Sequence, residues 1–185
     1  AMLGGVALAA VLCPSQAAGE VPIIDVHGHL QAAMSAEDLI RLMDETGVQA
    51  MVLMATRGPP GGTDEQSLTY ARRYPGRFIP FVGFQNRPPL HHPPETWLNP
   101  TPAALAFLDY AEKRLSSGEF YGLGEIMLRY HGHASDAPEV DHPVGSALMF
   151  RIAELAGKYR VPILIHAEGE AKVVAGMEQV LRSYP

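Results

Sequence analysis

Asp25, His27 and His29, in the run Ile23-Ile24-Asp25-Val26-His27-Gly28-His29-Leu30, are the residues whose types and spacing point most directly to chemistry. The apolar lead-in reads as a strand, and a strand turns alternate side chains to one face. Residues 25, 27 and 29 then share a face, with two imidazoles side by side and a carboxylate behind them. Imidazole is the commonest metal ligand at neutral pH. The spacing suits two ligands on one divalent ion, with Asp25 orienting a ring by a hydrogen bond. Gly28 lets the backbone bend between the rings as the strand ends. An isolated His-x-His is more often a pair of solvated histidines. The apolar lead-in, the Asp and the residues below favour metal.

Further candidates sit at the ends of other apolar runs. His166 directly follows Val161-Pro162-Ile163-Leu164-Ile165, where an imidazole needs a partner to offset its burial. Glu125 lies in Gly122-Leu123-Gly124-Glu125-Ile126-Met127, and its glycines leave room for something to approach. A carboxylate inside such a run must be paired or bound to metal. Two readings stand level: Glu125 joins a metal site, or it pairs with Arg57 or Arg129. Either arginine is also suited to gripping a substrate carboxylate in a bidentate contact, or to a solvated loop position. His91, His92, His131, His133 and His142 fall in long loops, and at most one is expected to touch substrate. Trp97 and the prolines around it read as a stiff, packed wall or lid.

The elements that must position these residues alternate regularly. Strands are expected at Ile23–Val26, Gln49–Ala55, Phe78–Phe84, Tyr121–Met127 and Val161–Ile165. Helices fall between them. Ser35 and Thr63 each precede a side chain that completes a capping pattern, Gly47 stops the first helix, and Thr101-Pro102 opens the third. Pro143 opens the fourth helix, and Glu170 to Tyr184 form the fifth. Five strand–helix units predict a parallel sheet flanked by helices. The strand-to-helix connections are long after the second, third and fourth strands. In a (β/α)8 TIM barrel those loops build the active-site face, and the candidate ligands sit at that same end. The second helix closes with Arg72-Arg73-Tyr74-Pro75 before a strand, and the fifth with Arg182-Ser183-Tyr184-Pro185. By that precedent a sixth strand is expected after Pro185, so the chain reads as about five units of a longer barrel.

Composition narrows the partners. The chain has 185 residues, a net charge of −6 and 47% hydrophobic residues, enough for a core and with no basic footprint for nucleic acid. Residues 1–19 read as the remnant of a signal peptide, with an apolar run at Met2–Leu12 and small residues at Ser15-Gln16-Ala17-Ala18. That run is shorter than the ~20 residues of a membrane span. Residues 20–185 form the barrel domain. Cys13 is the only cysteine and falls in the leader, leaving neither a disulfide framework nor a thiol nucleophile in the mature chain. An exported, periplasmic or secreted protein is expected, with a cytoplasmic one as the alternative.

Asp25-Val26-His27-Gly28-His29, Gly124-Glu125-Ile126 and Val161-Pro162-Ile163-Leu164-Ile165-His166 together resemble the amidohydrolase superfamily, in its amidohydrolase-related branch. The resemblance implies a (β/α)8 barrel holding a divalent metal, zinc or manganese, with one ion favoured over two. By position it carries His27, His29 and His166 over as ligands, and Glu125 joins them as the further candidate. It also implies a strand-six histidine and a strand-eight aspartate beyond Pro185, so these 185 residues alone are expected to be inactive. The Gly-Glu-Ile strand is similar to that of TatD-like metal-dependent nucleases, where the glutamate joins a two-metal site. The implied chemistry is a metal-activated water acting on a small ester, lactone or amide, since a bound ion can lower the pKa of water from 15.7 to about 7. Alternatives are non-oxidative decarboxylation of a small aromatic or unsaturated acid, a TatD-like nuclease, or a non-enzymatic exported metal-binding chain. The expected partner is a small molecule, not nucleic acid.

Overall fold

The computed structural model describes residues 21–31, 33–55, 62–85, 94–133 and 138–184. The expected leader with Cys13, and Arg57, His91 and His92, lie outside them.

Local sequence sets each element in turn. Strand β1 (Ile23–Leu30) leads to helix α1 (Ala36–Thr46), which starts where the Ser35 hydroxyl accepts from the Asp38 N–H at 3.1 Å. It stops at Gly47, in the left-handed region at φ 74°. Strand β2 (Val48–Ala55) is followed by α2 (Asp64–Arg73), capped by Thr63 accepting from the Gln66 N–H. After β3 (Phe78–Gly83) come a short helix α3 (Pro94–Leu98) and α4 (Pro102–Ser116), with Thr101 as cap and proline at its first position. Strand β4 (Leu123–Met127) runs into a two-stranded antiparallel ribbon, β5 (Arg129–Tyr130) with β6 (Val140–Asp141). Helix α5 (Ala147–Tyr159), β7 (Ile163–His166) and α6 (Ala171–Ser183) complete the described order.

The main sheet runs β1-β2-β3-β4-β7 with every pair parallel. It curls. Leu164 on β7 packs against the cluster of Val52, Met54 and Phe81 on β2 and β3, although β4 lies between β3 and β7. That small cluster fills the concave side. On the convex side Val82, Leu123 and Ile126 meet Phe107, Leu148 and Ile152 of the helices, and Leu53 meets Leu39 and Met43 of α1. The result is an open half-barrel of alternating strands and helices, with all the strands' C-terminal ends on one rim.

Two boundaries differ by more than two residues from the sequence expectation. β1 continues to Leu30 instead of ending near Val26, so His27 and His29 lie within the strand. Gly28 is needed for closeness rather than for a bend, since a Cβ there would stand 2.5 Å from the Val52 carbonyl oxygen. Helix α5 begins at Ala147, capped by Ser146 accepting from the Met149 N–H, and Pro143 belongs to the turn before it. The β5–β6 ribbon was not expected, because two-residue strands carry too little alternation to stand out. Trp97 is buried on α3 and stacks on His142 with centroids 5.0 Å apart, a packed wall.

Candidate metal centre

Strands β1, β4 and β7 bring His27, His29, Glu125 and His166 to one place. The Nε2 atoms of His27 and His29 are 3.0 Å apart. Glu125 is buried at 3% exposure and faces all three imidazoles: Oε1 lies 3.3 Å from His27 Nε2 and 2.9 Å from His166 Nδ1, and Oε2 lies 3.2 Å from His29 Nε2. Donor atoms of His27, His29 and Glu125 all fall within 4.8 Å of one another. His166 reaches the group through Glu125. Between these two readings of Glu125, pairing with Arg129 is not what the structure shows; its partners are the imidazoles and an amide.

The geometry of Asp25 follows from a bulge. Asp25 pairs with Met51 and Gly28 with Leu53, so three residues of β1 advance against two of β2. An extra residue breaks the alternation and re-aims side chains. His27 and His29 still converge, while the Asp25 carboxylate turns back to accept from the His27 main-chain N–H at 2.9 Å. It steadies the backbone under the ligand candidate and, among the described residues, makes no hydrogen bond with a ring nitrogen. His29 Nδ1 is buried without a hydrogen-bond partner among the described residues.

Electrostatics favour an anionic Glu125. Burial by itself raises its carboxyl, but the hydrogen bond from His29, the charges of His27 and His29 and the hydrogen bond of His166 together outweigh it. The balance lowers the pKa from its ordinary 4.5 to about 2. Gly124 permits the placement, being at φ 150° where an added Cβ would lie 2.8 Å from the Leu164 carbonyl oxygen. The room these glycines leave is taken by the neighbouring strand, rather than by a ligand.

Arg129 sits beside this cluster and is committed elsewhere. Its guanidinium pairs with Glu139 at 2.6 Å and Glu170 at 2.5 Å, and donates to the Val140 carbonyl and to His131 Nδ1. Hydrogen bonds with Glu139 and Glu170 hold it above its ordinary pKa. Lys172 is likewise paired, with Asp141 at 2.6 Å. Of the loop histidines, His131 and His133 face Glu170 and Glu168, and the Tyr130 ring stands edge-on to His133 and His166, 5.5 Å from the latter. Sequence reasoning missed two neighbours: Tyr130, and Gln85, whose Nε2 donates to Glu125 Oε2. The available signal for Gln85 was only its place just past a strand's C-terminal end.

The donor set fits a divalent ion. Two ligands about 2.0–2.1 Å from a tetrahedral zinc stand roughly 3.3 Å apart, close to the 3.0–3.3 Å spacings here. Imidazole and carboxylate suit zinc and manganese alike.

Comparisons with known proteins agree on architecture. Solved structures of similar fold include a "putative amidohydrolase" from Staphylococcus aureus, at 21% identity and TM-score 0.50, covering 84% of this chain and 50% of that one. An uncharacterised TIM-barrel protein from Bordetella bronchiseptica gives 12% identity and TM-score 0.53, covering 89% of this chain and 64% of that one. A dihydroxybenzoic acid decarboxylase from Polaromonas sp. JS666, solved with manganese and the inhibitor 2-nitroresorcinol, gives 15% identity and TM-score 0.44, covering 84% and 52%. The chain thus spans half to just under two thirds of the length of these structures. No curated protein sequence matches it significantly. The family model for TatD related DNase matches residues 24–183, nearly the whole span from the first strand to the last helix. The parallel barrel architecture expected from the repeated strand–helix units is therefore present as a half-barrel, and the chain belongs to the TatD related DNase family.

Proposed function

We propose that this chain carries the metal-holding part of a hydrolase that acts on a small ester, lactone or amide, with His27, His29, Glu125 and His166 as ligands to a divalent ion. The observation that carries the reading is the convergence of three imidazoles on one buried carboxylate at the rim of the half-barrel. A divalent ion bound there supplies Lewis acidity, acidifying water and polarising a carbonyl. The chain's own contributions are separate. Asp25 holds the main chain under His27, and Glu125 stays anionic and so keeps a negative charge beside the imidazoles. Tyr130 offers an aromatic edge beside His166.

Charge around the rim supports a small, uncharged substrate over a polyanion. Among the described residues, Glu139, Glu168, Glu170 and Asp141 surround this side, and the cations between them, Arg129 and Lys172, pair with carboxylates. In this reading Arg129 builds the wall instead of gripping a substrate carboxylate. Zinc is the favoured ion, manganese the alternative, and one ion is favoured over two. A second reading, metal-dependent phosphodiester cleavage, draws on the family membership and on Glu125, which offers one oxygen to His27 and His166 and the other to His29.

The test uses protein expressed from its whole reading frame, dialysed and analysed for metal beside a His27→Ala/His29→Ala variant. About one zinc or manganese per chain, lost in the variant, together with turnover of lactones or aryl esters and none of DNA, is the expected result. Two ions per chain with DNA cleavage replaces it by the second reading. Absence of metal after reconstitution with zinc overturns both.

A further inference from the structure

Four polar groups face the Glu125 carboxylate, and they are not equivalent. Three are imidazoles: His27 and His166 at Oε1, His29 at Oε2. The fourth is the side-chain amide of Gln85, which donates from Nε2 to Oε2. An amide nitrogen is a donor with no lone pair to offer a metal. The Nε2 atoms of His27 and His29, by contrast, are the atoms that would turn to a cation, and an imidazole nitrogen cannot ligate and donate at once. When those nitrogens are recruited, Glu125 loses its contacts with them and keeps the hydrogen bonds of Gln85 at Oε2 and His166 at Oε1.

Gln85 is also well anchored for that task. It follows Phe84, which is 2% exposed and packs edge-to-face on Phe107 with centroids 4.7 Å apart. The Phe84 N–H donates to the Gly124 carbonyl at 3.2 Å. The residue before Gln85 is thus tied to the residue before Glu125, and the two side chains leave from joined backbones.

We propose that Gln85 is a positioning residue: it pins Glu125 through Oε2, presents Oε1 to the cation site and thereby sets the affinity for a divalent ion. This inference rests on the metal-holding reading above. Partners of this kind, one step removed from the metal, typically change affinity 10–100-fold when removed.

The test measures Zn²⁺ affinity of the whole natural protein by competition with a chromophoric chelator, and the visible spectrum of its Co²⁺ form. Gln85→Met keeps the length of the side chain and removes the donor. It is expected to bind Zn²⁺ about 10–100-fold more weakly, with a shifted Co²⁺ spectrum and an unchanged thermal transition of the metal-free protein. Gln85→Ser, which places no apolar group at the site, is expected to do the same and serves if the Met variant does not fold. Affinity within twofold of wild type and an unchanged Co²⁺ spectrum in a folded variant overturn the role of Gln85. If His27→Ala/His29→Ala also keeps its affinity, the metal-holding reading itself has failed.

Discussion

At the scale of the residue, Glu125 makes the sharpest prediction for the metal-free protein. Its carboxyl lies at about 2 in the folded chain against an ordinary 4.5. A carboxyl lowered on folding stabilises the fold above its unfolded value, and that contribution disappears as pH falls through the folded value. Stability from Glu125 is therefore complete above about pH 4.5 and lost toward about pH 2, on the order of 3 kcal/mol for a shift of this size. Urea unfolding of wild type and Glu125→Gln between pH 6 and pH 2 reads it directly. The wild-type curve should fall more steeply with acid, and parallel curves would contradict the account. His27, His29, Glu125 and His166 were all singled out from sequence, because each ends or interrupts an apolar run where a polar group is expensive. Gln85 and the ion-paired state of Arg129 were not legible. Their partners, Glu125 and Glu170, lie about forty residues away in each case.

At the scale of the element, start and stop signals were legible because they act within one helical turn. Ser35, Thr63 and Thr101 cap as their spacing suggested, and Gly47 ends α1 in the left-handed region. Ser35→Ala is expected to cost about 1 kcal/mol, by loss of one cap. Contacts between strands are a different matter. The one-residue bulge that turns Asp25 away from the rings depends on pairing with β2, and no residue of β1 announces it. Gly124→Ala tests how tightly β4 lies on β7. A Cβ at 2.8 Å from the Leu164 carbonyl, on backbone at φ 150°, forces a shift of Glu125. A loss of about 3 kcal/mol in thermal unfolding is expected, from overpacking and backbone strain together. A melting temperature equal to wild type would mean that the strands separate easily.

At the scale of the whole molecule, among the described residues the sheet has neighbours on only one side of β1 and of β7. Ile23, Ile24 and Val26 on β1 are 53%, 51% and 60% exposed. An apolar strand with an unpaired edge is a template for pairing with another chain. The 185-residue polypeptide by itself is therefore expected to self-associate in light scattering behind size exclusion, and Val26→Lys to reduce it. A monodisperse monomer with a cooperative melt would refute this. Among the described residues no helix is long and apolar enough to cross a membrane.

The sequence by itself determined the alternation of strands and helices, the parallel sheet and the histidines and glutamate that meet, since apolar period, caps and strand-end polar residues are local properties of the chain. Only the tertiary structure decided what each of them touches. The bulge aimed Asp25 at a main-chain N–H, the curl of the sheet set His27 and His29 against Glu125, and the β5–β6 ribbon surrounded Arg129 with carboxylates. A side chain's partner depends on strand register and on backbones distant in sequence, and neither is written in the spacing of its neighbours.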